Sequence, residues 1–443
     1  MVDVVKKLLA VGIILLLVGV SIPSTTTIGV INQEPELIIE GPTEGKVGVP
    51  YDYTFYLTEQ EGCEIYYKID WGDGNKTEWL GPYESSVKLE LTHTWYERGW
   101  YDIFVEAKGC NGSKYSDWYW VLITTTLYVG GSGPNNYTSI RDAIGDAHWG
   151  DTVFVYDDSS PYYENIVIYG KSINLIGENK ETTIIHGCNK GSVVEIWDYP
   201  DRVRISNFTL QNGTAGYLPH GIWIGSGEDN CIITDNIIKD NIGAIFCSSS
   251  SSNIIISNNI IINHDTSLIV KGNNNIISNN TIKNNTWPGI AIKGNNHTIA
   301  NNIIKDNGGF YDDYHTDEGE WCYSGIHPFG CKNSRIYHNL ITGSRYAIYM
   351  VGSSKNDIYE NNIINNKVGI ILNEESRFNK IARNNFIRTI LCARFSRLSC
   401  FNEWDGNYWN RPRLLPKPII GSIGFIVPWI NFDWHPAKEP YDI

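Results

Sequence analysis

Methionine is almost absent from this chain. Of 443 residues only Met1 and Met350 are methionines, and the ten histidines are mostly scattered, so no cluster of soft metal ligands is evident. Positive charge is scarce as well: 35 lysines and arginines stand against 49 aspartates and glutamates, a formal net charge of −14. Removing Asp3, Lys6 and Lys7 takes away +1 and leaves −15. Such a surface repels phosphate backbones, so nucleic acid is not expected as a partner, and neither is a soluble nucleotide cofactor. A membrane-length apolar run is missing too. The stretch from Leu8 to Val20, behind Lys6 and Lys7 and ahead of "SIPSTTT", has 13 residues. That is short of the roughly 20 a membrane span needs and within the signal-peptide range. Residues 1–29 therefore read as a signal peptide, placing the mature chain outside the cell or at its surface; left uncleaved, the run would be an N-terminal anchor. Near the other end "IIGSIGFIVPWI" is apolar but broken by Gly421, Gly424 and Pro428, a poor span. The composition is neither disordered nor coiled-coil, and 42% hydrophobic content can bury at least one large core.

Cysteine is present in an odd number. The nine (63, 110, 188, 231, 247, 322, 331, 392 and 400) allow disulfides in an exported chain but leave at least one thiol unpaired. Eight N-x-S/T triplets begin at Asn75, Asn111, Asn136, Asn207, Asn212, Asn279, Asn284 and Asn296, compatible with glycosylation, although an Asn-rich chain makes such triplets by chance. From about Leu37 to Thr124 short segments alternate as strands do: "YDYTFYL", "IYYKIDWGDG", "HTWYERGWYDIFVEA", "DWYWVLI". Asp73-Gly74 is a turn signal directly after a strand. With "WGDG" at Trp71 to Gly74, "HTW" at His93 to Trp95 and "GWYDIFVEAKG" from Gly99, residues 37–126 resemble the polycystic-kidney-disease (PKD) type domain. The resemblance implies an immunoglobulin-like β-sandwich, with Trp71 and Trp95 in its core and Cys63 and Cys110 able to staple it.

A repeat follows. Asn236, Asn259, Asn280, Asn302, Asn339, Asn362 and Asn385 recur at steps of 23, 21, 22, 37, 23 and 23. Two residues after each stands Ile238, Ile261, Ile282, Ile304, Ile341, Ile364 or Ile387. A period of 20 to 25 with one inward apolar residue per strand means stacked units that bury a common core. Abundant Ile and Asn with period-2 alternation argue for strands, and the Asn column for a ladder of amides bonded coil to coil. The stretch "LYVGGSGPNNYTSIRDAIGDAHWGDTVFVYDDSSPYYENIVIYGKSINLIGENKETTIIHG", with a capping helix around Ser139 to Ala147, resembles the surface β-helix family that includes the periplasmic copper-protein NosD type and pectate-lyase-like folds. The resemblance implies a right-handed single-stranded parallel β-helix over 127–391, and so an all-β protein with residues 392–443 as an aromatic C-terminal cap or tail. It transfers no catalytic residue: soft copper ligands are lacking, and no acidic calcium cluster with an Arg or Lys base is recognisable.

One stretch breaks the count. "YDDYHTDEGEWC" (311–322) sits in a turn of 21 residues between Ile304 and Gly325, where most coils use five to seven; Leu210 to Gly221 is also long, at 11. Both insertions leave the same turn four coils apart, on the order of 19 Å at about 4.8 Å per coil. Between them runs the next strand of each coil, whose inward residues are Ile222/Ile224, Ile245/Cys247, Leu268/Val270, Ile290/Ile292, Ile326, Ile348/Met350 and Ile370/Leu372. Its outward residues are Trp223, Phe246, Ile269, Ala291, His327, Tyr349 and Ile371, too apolar for a solvated face.

These features suggest a groove floored by that stripe, walled by "GTAGYLPH" (Gly213 to His220) and by the acidic stretch. Aromatic floors and acidic walls suit a polysaccharide or surface glycan, with Trp223, Phe246, His327, Tyr349 and His220 as binding residues. For a polysaccharide lyase or glycosidase, Asp312, Asp313, Asp317, Glu318 and Glu320 are the candidate acids; glycosidases hold two carboxyls about 5 to 5.5 Å or about 6.5 to 9.5 Å apart. Asp312, Asp313, His315 and Asp317 are candidate ligands for a hard cation such as calcium, though their spacing matches no EF-hand. The plainer alternative is a solvated acidic loop pinned by a Cys322–Cys331 disulfide. The tail, with Trp404, Trp409, Trp429 and Trp434, either caps the last coils or folds back over the stripe. A non-catalytic glycan-binding or structural surface protein is the leading expectation, a polysaccharide-degrading enzyme the second, and copper handling the third.

Overall fold

The computed structural model describes residues 35–58, 62–85, 87–198, 200–214, 219–308, 323–423 and 427–443. The expected signal peptide lies outside these residues. Residues 50–93 and 101–121, with the strand before them, form one compact unit; residues 122–443, with the segments 43–49 and 94–100, form another.

The first unit is a PKD-like β-sandwich. Leu37–Glu40, Pro50–Leu57 and Leu89–Thr94 make one sheet, and Lys114–Thr124, Gly99–Lys108, Glu64–Asp70 and Leu80–Glu84 are neighbours in the other. Strict alternation along "PYDYTFYL" and "EIYYKID" buries Tyr53, Phe55, Leu57, Ile65, Tyr67 and Ile69 and leaves the intervening polar side chains outward. Trp71 is buried edge-on to Tyr53 and Phe55 and stacked on His93 at 4.4 Å, and His93 Nε2 lies 2.8 Å from Asp73 Oδ2. The "WGDG" and "HTW" segments thus meet in the core. Cys63 and Cys110 form a disulfide with Cα atoms 5.3 Å apart.

The second unit is a parallel β-solenoid, in which each coil adds one strand to each of three ladders. Ladder I runs from Thr126–Val129 through strands such as Ile232–Thr234 and Thr298–Ala300 to Glu403–Asp405. Ladder II holds ten strands, from Ile184–His186 to Tyr408–Trp409. Ladder III runs from Ile166–Tyr169 through His220–Ile224, Gly243–Cys247 and Ser324–Pro328 to Leu391–Phe395. Most strands of ladders I and II have three residues, so only the middle side chain points inward. That position holds Ile233, Ile256, Ile277, Ile299, Ile336, Ile358 and Ile381 in ladder I and Ile238, Ile261, Ile282, Ile304, Ile341, Ile363 and Phe386 in ladder II, all buried. Each such side chain stabilises the stack by about 1.5–3 kcal/mol relative to exposure. The inward pairs expected for ladder III are buried as well.

Three turns per coil need residues with positive φ. They are supplied mainly by asparagine and aspartate, as at Asn253, Asn258 and Asn263 in one coil and Asn274, Asn279 and Asn284 in the next. Directly after the ladder I–II turn an inward Asn begins an amide ladder. Asn259 donates its backbone N–H to Asn280 Oδ1 at 2.9 Å, Asn280 to Asn302 at 3.0 Å, and Asn302 to Asn339 at 3.0 Å. From there the column passes through Asn361, Asn384 and Asn407, not Asn362 and Asn385. The expected column slips by one residue at its last two steps, and with it the expected Ile364 and Ile387 give way to Ile363 and Phe386. The cause is that the ladder Asn is second in the doublets 258–259, 279–280 and 301–302 but first in 361–362 and 384–385. Side-chain period 2 makes one step a change of face.

Both ends are closed. Helix Ile140–Asp146 starts at Ser139, whose hydroxyl accepts from Asp142 N. Glu164 accepts from Ser139 Oγ and from the Ile140 and Arg141 N–H groups at 2.9–3.0 Å, and Lys171 Nζ donates to the carbonyls of Ile144, Gly145 and Ala147 at 2.9–3.0 Å. The helix thus has partners at both termini and buries Ile140, Ala143 and Ile144 on the stack. At the far end the coils run past Cys392: Leu391–Phe395, Glu403–Asp405 and Tyr408–Trp409 add a further strand to each ladder. The residues expected as cap therefore begin with one more coil, in which Trp404 and Trp409 take the inward positions, with Trp409 stacked on Phe386 at 4.6 Å. Only then does a hairpin, Lys417–Ile423 with Val427–Asp433, close the stack.

Candidate functional site

The outer face of ladder III carries the stripe read from the sequence. Register pairs Val167 with Glu195, Glu195 with Trp223, Trp223 with Phe246, Phe246 with Ile269, Ile269 with Ala291, Ala291 with His327, and Tyr349 with Ile371. One column further along the strands, Tyr169 pairs with Trp197. The tail hairpin lies beyond Phe395 and Trp404, so the stripe is not under it.

The rings of this face are stacked on one another. Trp223 and Phe246 lie 4.2 Å apart with planes 9° from parallel, and Trp197 follows at 6.0 Å and 30°. Rings stacked along the solenoid cover each other's faces, so Trp223 and Phe246, both half-buried, offer edges to solvent. More ring surface is exposed at Trp197 (37%) and Tyr169 (63%) in the N-terminal coils, and at Phe329 (45%) beyond His327. Trp197 Nε1 donates to Glu195 Oε2 at 3.0 Å, and its ring lies so close over Gly225 that a Cβ there would meet it at 2.9 Å. Lys271 Nζ stands 5.0 Å over Phe246. The site therefore has an aromatic ridge, one carboxylate and one ammonium.

Three expected binding residues do not belong to an open floor. His220, His327 and Tyr349 are exposed over only 5%, 5% and 4%. The His220 ring packs beside the stacked pair of Trp223 and Phe246, 5.6 Å from each, over Gly243, where a Cβ would be 2.1 Å from it. His327 stacks on Tyr349 at 5.6 Å, with its Nδ1 2.8 Å from the Tyr349 carbonyl, and burial pulls its pKa down to about 4. Tyr349 belongs to a small buried cluster with Tyr346, Val351 and Val368, and its hydroxyl accepts from Asn373 Nδ2 at 3.0 Å. Outward direction was legible from period 2, but burial was not, because these rings pack onto the next coil, His220 over Gly243 and His327 against Tyr349. Sequence reasoning also missed Tyr169 and Trp197, which the same alternation, carried two coils further toward the N-terminus, would have found.

Residues 215–218 and 309–322 lie outside the described residues, and with them Asp312, Asp313, His315, Asp317, Glu318 and Glu320, the candidate acids and calcium ligands. The Cys322–Cys331 bridge is corrected: Cys331 is a free thiol, buried, with its Sγ 3.3 Å from the Ile292 carbonyl.

A parallel β-solenoid closed by a helix and a hairpin, with an aromatic ridge on one ladder, defines a protein of the parallel β-helix class. The family model described as periplasmic copper-binding protein (NosD) matches residues 144–320 and 322–414, and the chain belongs to that family. No curated protein matches the chain. Among solved structures, the PKD domain of an M14-like peptidase from a Thermoplasmatales archaeon is 37% identical over 20% of this chain and 91% of its own, with a TM-score of 0.19. An alginate lyase from a Paenibacillus species is 11% identical over 64% of this chain and 95% of its own, at 0.37. The catalytic unit of a GH87 alpha-1,3-glucanase from Streptomyces thermodiastaticus is 12% identical over 81% and 88%, at 0.38. Among the described residues no helix is long and apolar enough to cross a membrane.

Copper takes thiolate, thioether or imidazole ligands, and the described residues do not fit it. Cys231, Cys247, Cys331 and Met350 sit in the solenoid core, and burial pushes the Cys231 and Cys331 thiols up to about 12 and raises Cys247 likewise. His264 bonds the carbonyls of Asn241 and Ile238 at 3.0 Å each, and the two nitrogens of His186 face Cys188 N at 3.0 Å and Asn212 Nδ2 at 2.8 Å. Among the described residues no three His, Cys, Asp or Glu side chains are grouped to hold a metal ion.

Proposed function

We propose that this protein is an exported β-helix that binds a polysaccharide along the outer face of ladder III, across the coils that carry Tyr169, Trp197, Trp223 and Phe246. The observation that carries the reading is the stacked, part-exposed aromatic column on consecutive coils beside Glu195 and Lys271. A linear glycan laid along the solenoid meets one aromatic per coil. The faces of Tyr169 and Trp197 suit the apolar face of a sugar ring, and the positive edges of Trp223 and Phe246 suit hydroxyl oxygens. Glu195 accepts from hydroxyls and Lys271 donates to them. No step of bond cleavage is assigned to these residues.

The test is a polysaccharide panel read for both binding and product release. Trp197→Ala is expected to weaken binding about tenfold, the loss of one aromatic stack, and to cost less stability than Trp223→Ala because its ring is the more exposed of the two. Trp223→Ala is expected to weaken it as much and to cost about 1–3 kcal/mol of stability through lost packing. Unchanged affinity in both would remove the ridge from the reading. Products that disappear when Asp312, Asp313, Asp317, Glu318 and Glu320 are replaced by amides would instead make the protein a polysaccharide-degrading enzyme.

A further inference from the structure

The hairpin that ends the solenoid is apolar where it has least reason to be. Register places Pro418, Ile420, Ser422, Pro428, Ile430 and Phe432 on one face and Ile419, Gly421, Ile423, Val427, Trp429 and Asn431 on the other. Ile419 and Asp433 on the second face are buried on the last coil, yet Val427 and Trp429 on that same face are 61% and 48% exposed. On the first face Ile420 and Ile430 are exposed as well. A strand pair that only capped the stack would be apolar inward and polar outward. Here the half toward the turn overhangs the core and shows apolar side chains on both sides, a form suited to entering an apolar medium.

The charge around it is equally uneven. From Arg411 to Trp434 the acidic residues number one, Asp433, and it is fully buried. Arg411, Arg413 and Lys417 stand at the base of the hairpin, close enough that the Arg413 and Arg411 charges, after burial itself, pull the Lys417 ammonium below its ordinary range. Among the described residues none of the ion pairs involves these three cations. The chain as a whole carries −14, so this is a basic collar on an acidic protein, next to exposed Leu414 and Leu415.

We propose that this hairpin seats the C-terminal end of the solenoid on an anionic lipid surface. The exposed apolar side chains of Ile420, Val427, Trp429 and Ile430 enter the boundary between headgroups and acyl chains, roughly 5–10 Å deep, and Arg411, Arg413 and Lys417 meet lipid phosphates behind them. Backbone groups on the hairpin edges stay in the hydrated headgroup zone, as unpaired strand edges must. This inference does not depend on the glycan reading, since the hairpin lies beyond the last coil and the ridge among the first ones.

Flotation of the full chain with phosphatidylglycerol-containing and with pure phosphatidylcholine vesicles tests it. The double variant Val427→Glu, Ile430→Glu is expected to bind anionic vesicles at least tenfold more weakly than the parent. The triple variant Arg411→Gln, Arg413→Gln, Lys417→Gln is expected to lose about a hundredfold on anionic vesicles, nothing on neutral ones, and the salt dependence of the parent. The N-terminal apolar segment is common to all, so the differences report the hairpin, and unchanged melting shows that the variants fold. Equal vesicle binding by parent and both variants overturns the proposal. So does light scattering in which the parent is a dimer, the double variant a monomer, and neither floats with vesicles, which would give the patch to a second copy of the chain.

Discussion

At the scale of the residue, asparagine does two separate jobs, and the doublets that combine them account for much of the composition. The first Asn of Asn258-Asn259 or Asn279-Asn280 takes the left-handed turn conformation, φ +57° at both, where side chains other than glycine, asparagine and aspartate are strained by about 1–2 kcal/mol. The second is buried and bonded to its copies above and below. Asn302 donates from Nδ2 to the carbonyls of Ile277 and Ala300 and to Asn339 Oδ1, and its own Oδ1 accepts from Asn280 N and Nδ2, all at 2.9–3.1 Å. Asn302→Ala leaves these groups dry and unpaired. It is expected to destabilise the solenoid by at least about 3 kcal/mol, read as lost amide-exchange protection centred on residues 277–302. A protected Asn302→Ala would mean that the ladder is ornament on an isoleucine core. The same doublets generate the triplets at Asn279 and Asn284, whose asparagines are exposed turn residues. Ladder membership was legible from spacing alone through Asn339. It failed at Asn361 and Asn384 because a doublet does not say which of its members turns and which points in.

At the scale of the element, the amide ladder has a direction and therefore needs an end. Each Asn donates toward the C-terminal neighbour, so Asn407 would be left with donors and no acceptor. Asp433, brought in by the hairpin, is that acceptor: it takes Gly406 N, Asn407 N and Nδ2, Trp409 Nε1 and His435 N at 2.9–3.2 Å. An acceptor-only side chain is what a row of donors requires. Asp433→Ala is expected to release the hairpin, so that amides of 403–409 and 417–433 exchange rapidly while those of the central coils keep their protection; uniform protection would show that apolar packing of Trp404, Trp409 and Ile419 holds the cap alone. Sequence read the tail as a cap from its proline and tryptophan content. It could not show that Trp404 and Trp409 first complete a coil, since inward tryptophans follow the same alternation as inward isoleucines only when the register is already known. The outer stripe of ladder III was legible in membership and not in exposure. Gly243 explains the difference: its missing side chain makes room for the His220 ring, a long-range fit that no local pattern encodes.

At the scale of the whole molecule, buried histidines tie the stability of the solenoid to pH. His264 substitutes for Asn in a second inner column, between Asn241 and Asn285, and His297 donates its backbone N–H to Ser334 Oγ in a third. Burial lowers the pKa of His264, with Asp240 opposing and His220 adding to the shift, and brings His297 and His327 down from 6.5 to about 4. At His297 and His327 the unfolded chain then binds protons below about pH 6.5 that the folded chain refuses until about pH 4, and His264 acts in the same direction, so folding stability is full above that window and falls as pH falls through it. A shift of this size corresponds to about 3 kcal/mol for each of His297 and His327 at the acid end. The double variant His264→Asn, His297→Asn keeps the columns amide-like and removes two of the three groups. Urea denaturation of the solenoid between pH 7 and pH 4 is expected to show a shallower decline in the variant than in the parent. Parallel declines would assign the acid sensitivity to the carboxylates and leave these imidazoles as packing alone.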